Sequence, residues 1–196
     1  MMSRIRRQGA VVLIAAVCVA PAGCSDGAAG SSEPKAQSMG VPARPEERAP
    51  AAAAGGACQL LDLYAVETLL GIRFDVAAAG QSEGALTCVL QQREEGYPDL
   101  TLAITPTGAT PESFKASATP PGATELPGIG KAAYRLVRPA AGTDPAGPGA
   151  GAELGWLTKT NQIMVVRCRL PQPAPQTEAD TMGERLVDLA RFLDPA

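Results

Sequence analysis

The stretch GALTCVLQQREEGYPDLTLAITPT, residues 84–107, decides the fold because it contains two runs in which apolar and polar residues alternate. Each run places one apolar set on a single face: Leu86, Cys88 and Leu90 in the first, and Leu100, Leu102 and Ile104 in the second. Alternation with a period of two residues is typical of half-buried strands. The connecting EEGYPD has the composition of a turn, so we expect the two strands to pair as a hairpin.

A second hairpin is predicted in LGWLTKTNQIMVVRCRL, residues 154–170, with its turn near residues 159–161. Its second strand places four apolar side chains on one face: Met164, Val166, Cys168 and Leu170. Arg167 and Arg169 therefore point to the opposite face. Before this hairpin, GIGKAAYRLVRP at residues 128–139 indicates a turn that leads into another strand. The Gly/Pro/Ala-rich residues 140–152 carry no packing signal, and we expect them to form a mobile loop.

Helices are predicted on both sides of these strands. Residues 62–70 have apolar side chains at steps of three and four, with Asp62 as the N-cap and Gly71 as the C-terminal stop. We expect the Tyr and Leu side chains of this helix to lie in the core. PESFKAS, residues 111–117, indicates one or two helical turns. A C-terminal amphipathic helix is predicted from the stripe Met182, Leu186, Leu189, Ala190 and Leu193.

The order of these elements predicts an α+β fold. An antiparallel sheet would be flanked by the short N-terminal helix and covered by the C-terminal amphipathic helix. The chain of 196 residues is long enough for one ordinary domain with extensions. We place that domain at residues 57–196, because the composition changes at residue 57 from Ala, Pro and Gly to branched aliphatic side chains.

The chemistry available to the chain is restricted by its composition. The sequence contains no histidine, which removes Ser-His-Asp and Cys-His catalysis and His-ligated zinc. Its five cysteines form no Cys-x-x-Cys pair, so a structural zinc or a thioredoxin-like motif is not indicated. We expect no cofactor and no catalytic residue.

The charge of the chain argues against nucleic-acid binding. The full sequence has 17 basic and 20 acidic residues and a net charge of −3. Removal of residues 1–23 would take three arginines away and leave a net charge of −6. Phosphate affinity depends on clustered Lys and Arg, so we expect no nucleic-acid partner.

The N-terminus has the layout of a secretory signal. MMSRIRRQG is basic, AVVLIAAVCVA is apolar, and small residues follow up to Cys24. The apolar run is shorter than the roughly 20 residues that a spanning helix needs. Ala22-Gly23-Cys24 resembles the end of a bacterial lipoprotein signal, in which the cysteine is lipidated and the chain is cut just before it. Residues 1–23 are therefore predicted to be a lipoprotein signal peptide, and Cys24 the lipidation site.

Two alternatives at this junction remain open. Ala20-Pro21-Ala22 also fits an ordinary signal-peptidase site, which would release a secreted protein with a thiol near its start. Cys18 is a further candidate for lipidation, although Val17 before it fits that signal poorly. In the lipidated interpretation, residues 24–56 form a disordered Ala/Pro/Gly/Ser-rich tether, because they lack the apolar surface needed to offset ordering entropy.

The domain also resembles a known family. The residues that carry the resemblance are Cys58-Gln59-Leu60-Leu61-Asp62, Leu69-Leu70-Gly71, Cys88 at a strand, Pro127-Gly128-Ile129-Gly130 and Ala132-Ala133-Tyr134. On these residues the chain is similar to actinobacterial lipoproteins that carry the domain of unknown function 3558. It is more loosely similar to the extracellular sensor domains of mycobacterial receptor kinases. The resemblance implies an exported domain with a disulfide bond, and it implies no activity.

The resemblance, together with proximity in sequence, favours a disulfide bond between Cys58 and Cys88. Cysteines outside the cytosol tend to pair, and this bond would join the first helix to the first hairpin. Cys168 is then left over, and its apolar neighbours on the same strand face indicate a buried thiol. A Cys88–Cys168 bridge and an intermolecular disulfide bond stay open as alternatives.

These observations predict a membrane-anchored cell-envelope lipoprotein on the extracytoplasmic face of the membrane. Its domain would be a non-enzymatic binding or interaction module for an envelope protein, lipid or glycan. The alternative is an envelope glycan-processing enzyme, or an accessory to one, that uses surface carboxylates. Such an enzyme would need two Asp or Glu side chains about 5 to 9.5 Å apart in one cleft.

Overall fold

The computed structural model describes residues 48–194. Two short 3-10 helices, Ala51–Ala54 and Gly56–Leu60, come first. The helices are α1 (Leu63–Leu70), α2 (Pro111–Ser117) and α3 (Gln176–Leu193). The strands are β1 (Val76–Ser82), β2 (Ala85–Gln91), β3 (Asp99–Pro106), β4 (Thr124–Leu126), β5 (Ala132–Arg138), β6 (Pro148–Leu157) and β7 (Gln162–Pro171).

All seven strands join one antiparallel sheet in the order β1-β2-β3-β7-β6-β5-β4. The α+β fold is confirmed, as are the hairpins β2–β3 and β6–β7. Cys88 lies opposite Leu102 in the first hairpin, and Trp156 lies opposite Met164 in the second. The edge strands β1 and β4 were not predicted from the sequence. Their segments, VAAAGQS and TEL, carry too few large apolar side chains to show the alternation of a strand.

One face of the sheet, here called the helix face, is covered by α3 over β5, β6 and β7 and by the second 3-10 helix over β1, β2 and β3, with α1 packed against α3. It carries the largest core side chains, among them Trp156, Leu154 and Leu102. Gly183 lets α3 approach β5 and β6 closely, since a Cβ there would lie 3.1 Å from Arg135 Cδ. Arg185 of α3 donates a hydrogen bond to the Leu70 carbonyl oxygen (2.6 Å), which satisfies a free carbonyl at the end of α1. None of the helices within residues 48–194 is both long and apolar enough to cross a membrane.

The opposite face, here called the open face, is covered only at one end by α2. Phe114 of α2 is buried there and stacks on Tyr134, with ring centroids 6.0 Å apart. Thr110 caps α2, and its hydroxyl accepts a hydrogen bond from the Ser113 amide. Among residues 48–194, no helix covers the rest of this face, which includes Arg167 and Arg169.

The folded region begins earlier than the predicted boundary at residue 57. Ala51–Ala54 and Gly56–Leu60 form 3-10 helices, and Ala51 is fully buried. Arg48 binds the Phe74 carbonyl oxygen (3.0 Å) and Glu67 (2.8 Å). Small side chains permit this close packing, so an alanine-rich composition does not by itself indicate a linker. The predicted signal peptide, Cys24 and the first part of the tether at residues 24–56 lie outside the described residues.

The predicted mobile loop at residues 140–152 is also wrong in its second half. β6 begins at Pro148, and Ala150 and Ala152 are buried on the helix face. Gly149 is required by close approach of β7, because a Cβ there would lie 2.3 Å from the Pro171 carbonyl oxygen. The small residues at this position therefore belong to a tightly paired strand.

The core prediction for the first helix is correct for its buried face and wrong for Tyr64. Leu63, Val66 and Leu70 are buried, whereas the Tyr64 side chain is 75 % exposed. The helix is only eight residues long, packs against α3 and buries only one stripe, so Tyr64 turns to solvent. Leu60, just before the helix, is also largely exposed.

A disulfide bond joins Cys58 in the second 3-10 helix to Cys88 in β2, with Cα atoms 4.9 Å apart. Both residues are fully buried on the helix face. Cys168 is a free, buried thiol. The Cys88–Cys168 bridge is therefore wrong, and the interpretation of Cys168 as a buried thiol is confirmed.

Replacing both bridge cysteines by alanine should lower the free energy of unfolding by about 3–4 kcal/mol, because the bond closes a loop with a sequence separation of 30. Urea unfolding of the wild type and of the Cys58→Ala/Cys88→Ala variant measures this difference. A reductant should destabilise the wild type by the same amount and leave the variant unchanged. Equal stability of the wild type and the variant without reductant would contradict the Cys58–Cys88 disulfide bond.

Candidate functional site

Charged side chains collect on the open face where β5, β6, β7 and β3 run side by side. Residues at paired positions of neighbouring strands point to the same face of a sheet. Two adjacent rows of the register form the patch: Arg138, Gly151, Arg169 and Asp99 in one row, and Leu136, Glu153, Arg167 and Thr101 in the next. The sheet therefore brings together three arginines and two acidic residues from four strands.

Glu153 is the centre of this patch, and its side chain is only 6 % exposed. The Tyr134 hydroxyl donates a hydrogen bond to Glu153 Oε1 (3.0 Å). Arg138 Nη2 donates to Oε2 (3.3 Å), and Arg167 Nε lies 3.5 Å from the same oxygen. A buried carboxylate needs such partners, since an isolated buried charge is strongly unfavourable.

Arg169 is held independently of Glu153. Its Nε donates to Asp99 Oδ1 (2.9 Å), and its Nη2 donates to Asp99 Oδ2. The guanidinium also lies over the Tyr97 ring, 5.0 Å from the ring centroid. The hydrogen bonds to Asp99 raise the pKa of Arg169 above its ordinary value. Asp99 is fully buried, so its bidentate ion pair with Arg169 fixes the guanidinium group in one orientation.

A cavity of about 210 Å³ opens between these arginines, and we call it the arginine cavity. Its lining consists of Arg138, Pro139, Ala141, Pro148, Gly149, Gly151, Ala152, Arg167, Cys168 and Arg169. Gly151 lies between Arg138 and Arg169 in the register and contributes no side chain. Because strands are spaced about 4.8 Å apart, the backbones of these two arginines are roughly 10 Å apart across it. The three arginine side chains are each 40–50 % exposed, so their charges are accessible at the rim.

Tyr134 reaches Glu153 because Gly155 leaves room for its ring. A Cβ at Gly155 would lie 2.5 Å from two ring carbons of Tyr134. Burial raises the pKa of Tyr134 well above its ordinary value, and the Glu153 carboxylate adds to the effect. The hydroxyl is therefore a permanent hydrogen-bond donor to Glu153.

Of the residues singled out from the sequence, two arginines lie at the arginine cavity and the disulfide-bonded cysteines lie elsewhere. Arg167 and Arg169 point away from the apolar face of β7, as predicted, and they form part of the cavity. The Cys58–Cys88 bond lies on the helix face and is structural. Cys168 is among the residues that border the cavity, but its side chain is buried in the core on the helix face, and burial raises the pKa of the thiol to about 12.

Three site residues were not singled out by sequence reasoning, Arg138, Asp99 and Glu153, and Tyr134 was named only among the residues that carry the resemblance. The signal that could have found Glu153 is the segment GAELG, residues 151–155. In this segment Ala152 and Leu154 alternate with Gly, Glu and Gly, which is a strand with a single charge on its second face.

A larger cavity of about 480 Å³ lies at the end of the sheet near Arg48 and residues 92–95. Three arginines and three acidic residues line it, so it has no excess of either charge. Arg48 and Arg73 are already bound, to Glu67 and Asp75 respectively. Within residues 48–194, no group of three or more His, Cys, Asp or Glu side chains could hold a metal ion. The arginine cavity is the stronger candidate because its charges do not cancel.

Comparison with known protein families, curated proteins and solved structures found no match to this chain. The resemblance to lipoproteins with the domain of unknown function 3558 therefore stays a prediction.

Gly155→Ala should lower the free energy of unfolding by about 1–3 kcal/mol, because the added methyl group forces the Tyr134 ring off Glu153. Gly108→Ala is the matched control, since a Cβ at Gly108 meets nothing within 4 Å. We expect the control to change stability by less than about 0.5 kcal/mol. Thermal and urea unfolding measure both variants, and equal effects at the two glycines would contradict the packing described here.

Proposed function

We propose that this chain is a membrane-anchored cell-envelope lipoprotein, lipidated at Cys24, whose domain is a non-enzymatic binding module. The arginine cavity is its ligand site. The observation that carries the binding role is the convergence of Arg138, Arg167 and Arg169 on one cavity in an acidic protein. Ligand sites are concave, and a few fixed polar groups in an apolar lining determine what they bind.

Binding is favoured over catalysis by how the acidic residues are used. A glycan-processing enzyme would need two carboxylates that face each other across a cleft. Glu153 and Asp99 are instead each bound by arginines, on strands separated by β7. The carboxylates hold the arginines in place, and the arginines remain partly exposed for a ligand.

The membrane anchor is proposed from the sequence before the domain. Two or more acyl chains, at about 0.8 kcal/mol per buried methylene, hold a protein stably in a bilayer. Cys24 lies outside the described residues, which begin at Arg48. A domain held in this way would present its cavity to molecules of the envelope.

Cys24→Ala should move the protein from the detergent phase to the aqueous phase in a detergent-partitioning experiment, because the acyl chains are lost. Cys18→Ala is the matched control, since residue 18 lies in the predicted signal peptide, and it should partition like the wild type. Aqueous partitioning of the wild type itself would contradict lipidation. If only Cys18→Ala left the detergent phase, the lipidation site would be Cys18 and not Cys24.

A photo-crosslinking residue at Ala141, which lines the cavity and is exposed, should capture an envelope component in intact cells. When Arg167→Ala is added to the protein that carries this crosslinker, the capture should be abolished. The same photo-crosslinker at Glu184, an exposed position of α3, serves as the control and should not capture the component. Mass spectrometry identifies the product. Capture that is the same at both positions, or turnover of envelope glycans by the purified protein, would contradict the proposed function.

A further inference from the structure

The charges around the arginine cavity leave one positive charge unmatched. Arg138, Arg167 and Arg169 contribute three positive charges, and Glu153 and Asp99 contribute two negative charges. The full chain carries a net charge of −3, so this site has the opposite sign to the molecule. Partial exclusion of water from a cavity strengthens such a local charge.

The hydrogen-bond donors at the cavity are also incompletely used. Arg138 and Arg167 each approach Glu153 through a single nitrogen, at the same oxygen Oε2. A guanidinium has five N–H donors in a planar fork. Among residues 48–194, the other nitrogens of these two side chains make no hydrogen bond. An oxyanion with two free oxygens, as in a carboxylate or a phosphodiester, could therefore accept parallel hydrogen bonds from them.

The apolar residues that line the arginine cavity, and its volume, limit the size and polarity of a ligand. Pro139, Ala141 and Pro148 supply apolar surface next to the arginines. The volume of about 210 Å³ is below the roughly 300–1,000 Å³ of pockets that enclose a whole drug-sized ligand. The cavity is thus large enough for one charged group and a small apolar substituent.

From this geometry we propose that the arginine cavity binds a singly charged oxyanion group, a carboxylate or a phosphodiester, next to a small apolar moiety. Glu153 determines that preference. This inference rests on the proposed binding function and names the chemistry of its ligand. A monoanion matches the single unmatched charge, whereas a dianion would bring an excess negative charge close to the Glu153 carboxylate.

The test uses three probes of similar shape on the full chain in a non-ionic detergent. Methyl phenyl phosphate and benzoate carry one negative charge. Phenyl phosphate carries about two at pH 8, because its second pKa is near 6. Isothermal titration calorimetry should show that the wild type binds a monoanion about tenfold more tightly than phenyl phosphate, a difference of about 1.4 kcal/mol.

Glu153→Gln should reverse this order, because the unmatched charge rises from one to two. Asp188→Asn is the charge-matched control: it removes one carboxylate from an exposed ion pair with Arg191 on α3, and should leave the order unchanged. Since Glu153 is buried, Arg138→Gln provides a second variant at a half-exposed position. It removes the unmatched charge and should weaken monoanion binding by about tenfold. Thermal unfolding of each variant verifies that it is folded.

The outcomes separate the ligand class from the binding function. Tighter binding of benzoate than of methyl phenyl phosphate assigns a carboxylate, and the opposite order assigns a phosphodiester. Tighter binding of phenyl phosphate by the wild type, or an unchanged order in Glu153→Gln, overturns the inference. If no probe binds while capture at residue 141 still depends on Arg167, the ligand class is wrong and the binding function stands. If capture fails as well, both are wrong.

Discussion

The close pairing of β6 with β7 is the constraint on which both faces of the molecule depend. Two glycines make it possible: a Cβ at Gly149 or Gly151 would lie within 2.5 Å of a carbonyl oxygen of β7. Through this pair, Leu154 and Val166 enter the core on one side, while Glu153 and Arg167 meet on the other. Core packing and site geometry are therefore determined by the same strand register, since a slip of one residue would exchange the two sets of side chains.

The charged patch contributes less to stability than its number of contacts suggests. Buried ion pairs gain Coulomb energy but lose hydration, and apolar residues of similar size often stabilise a fold more. The half-exposed arginine side chains reduce the attraction further through screening by solvent. The patch instead fixes the positions of its side chains. Tyr134 holds Glu153, and Glu153 in turn positions the guanidinium groups of Arg138 and Arg167 at the arginine cavity.

The sequence predicted the parts of the fold that have strong periodicity and missed those that depend on close packing of small residues. Alternating Leu, Val and Ile identified β2, β3 and β7, and the caps at Asp62 and Gly71 located α1. Ala51 and Ala150 are buried by contacts that composition does not reveal. The site was partly visible, since alternation placed Arg167 and Arg169 on one face. Arg138, Glu153 and Asp99 joined them only through strand order, which links residues far apart in the chain.

The position of the Cys58–Cys88 bond has a mechanical consequence. A pull on the chain from its N-terminal side first loads the packed residues 48–57, and at Cys58 it passes through the covalent bond directly into β2. Residues 59–87, which include α1 and the edge strand β1, then lie off the path of the force. Tension between the N-terminal segment and a ligand held between the arginines would therefore enter the sheet at β2 and bypass the edge strand β1.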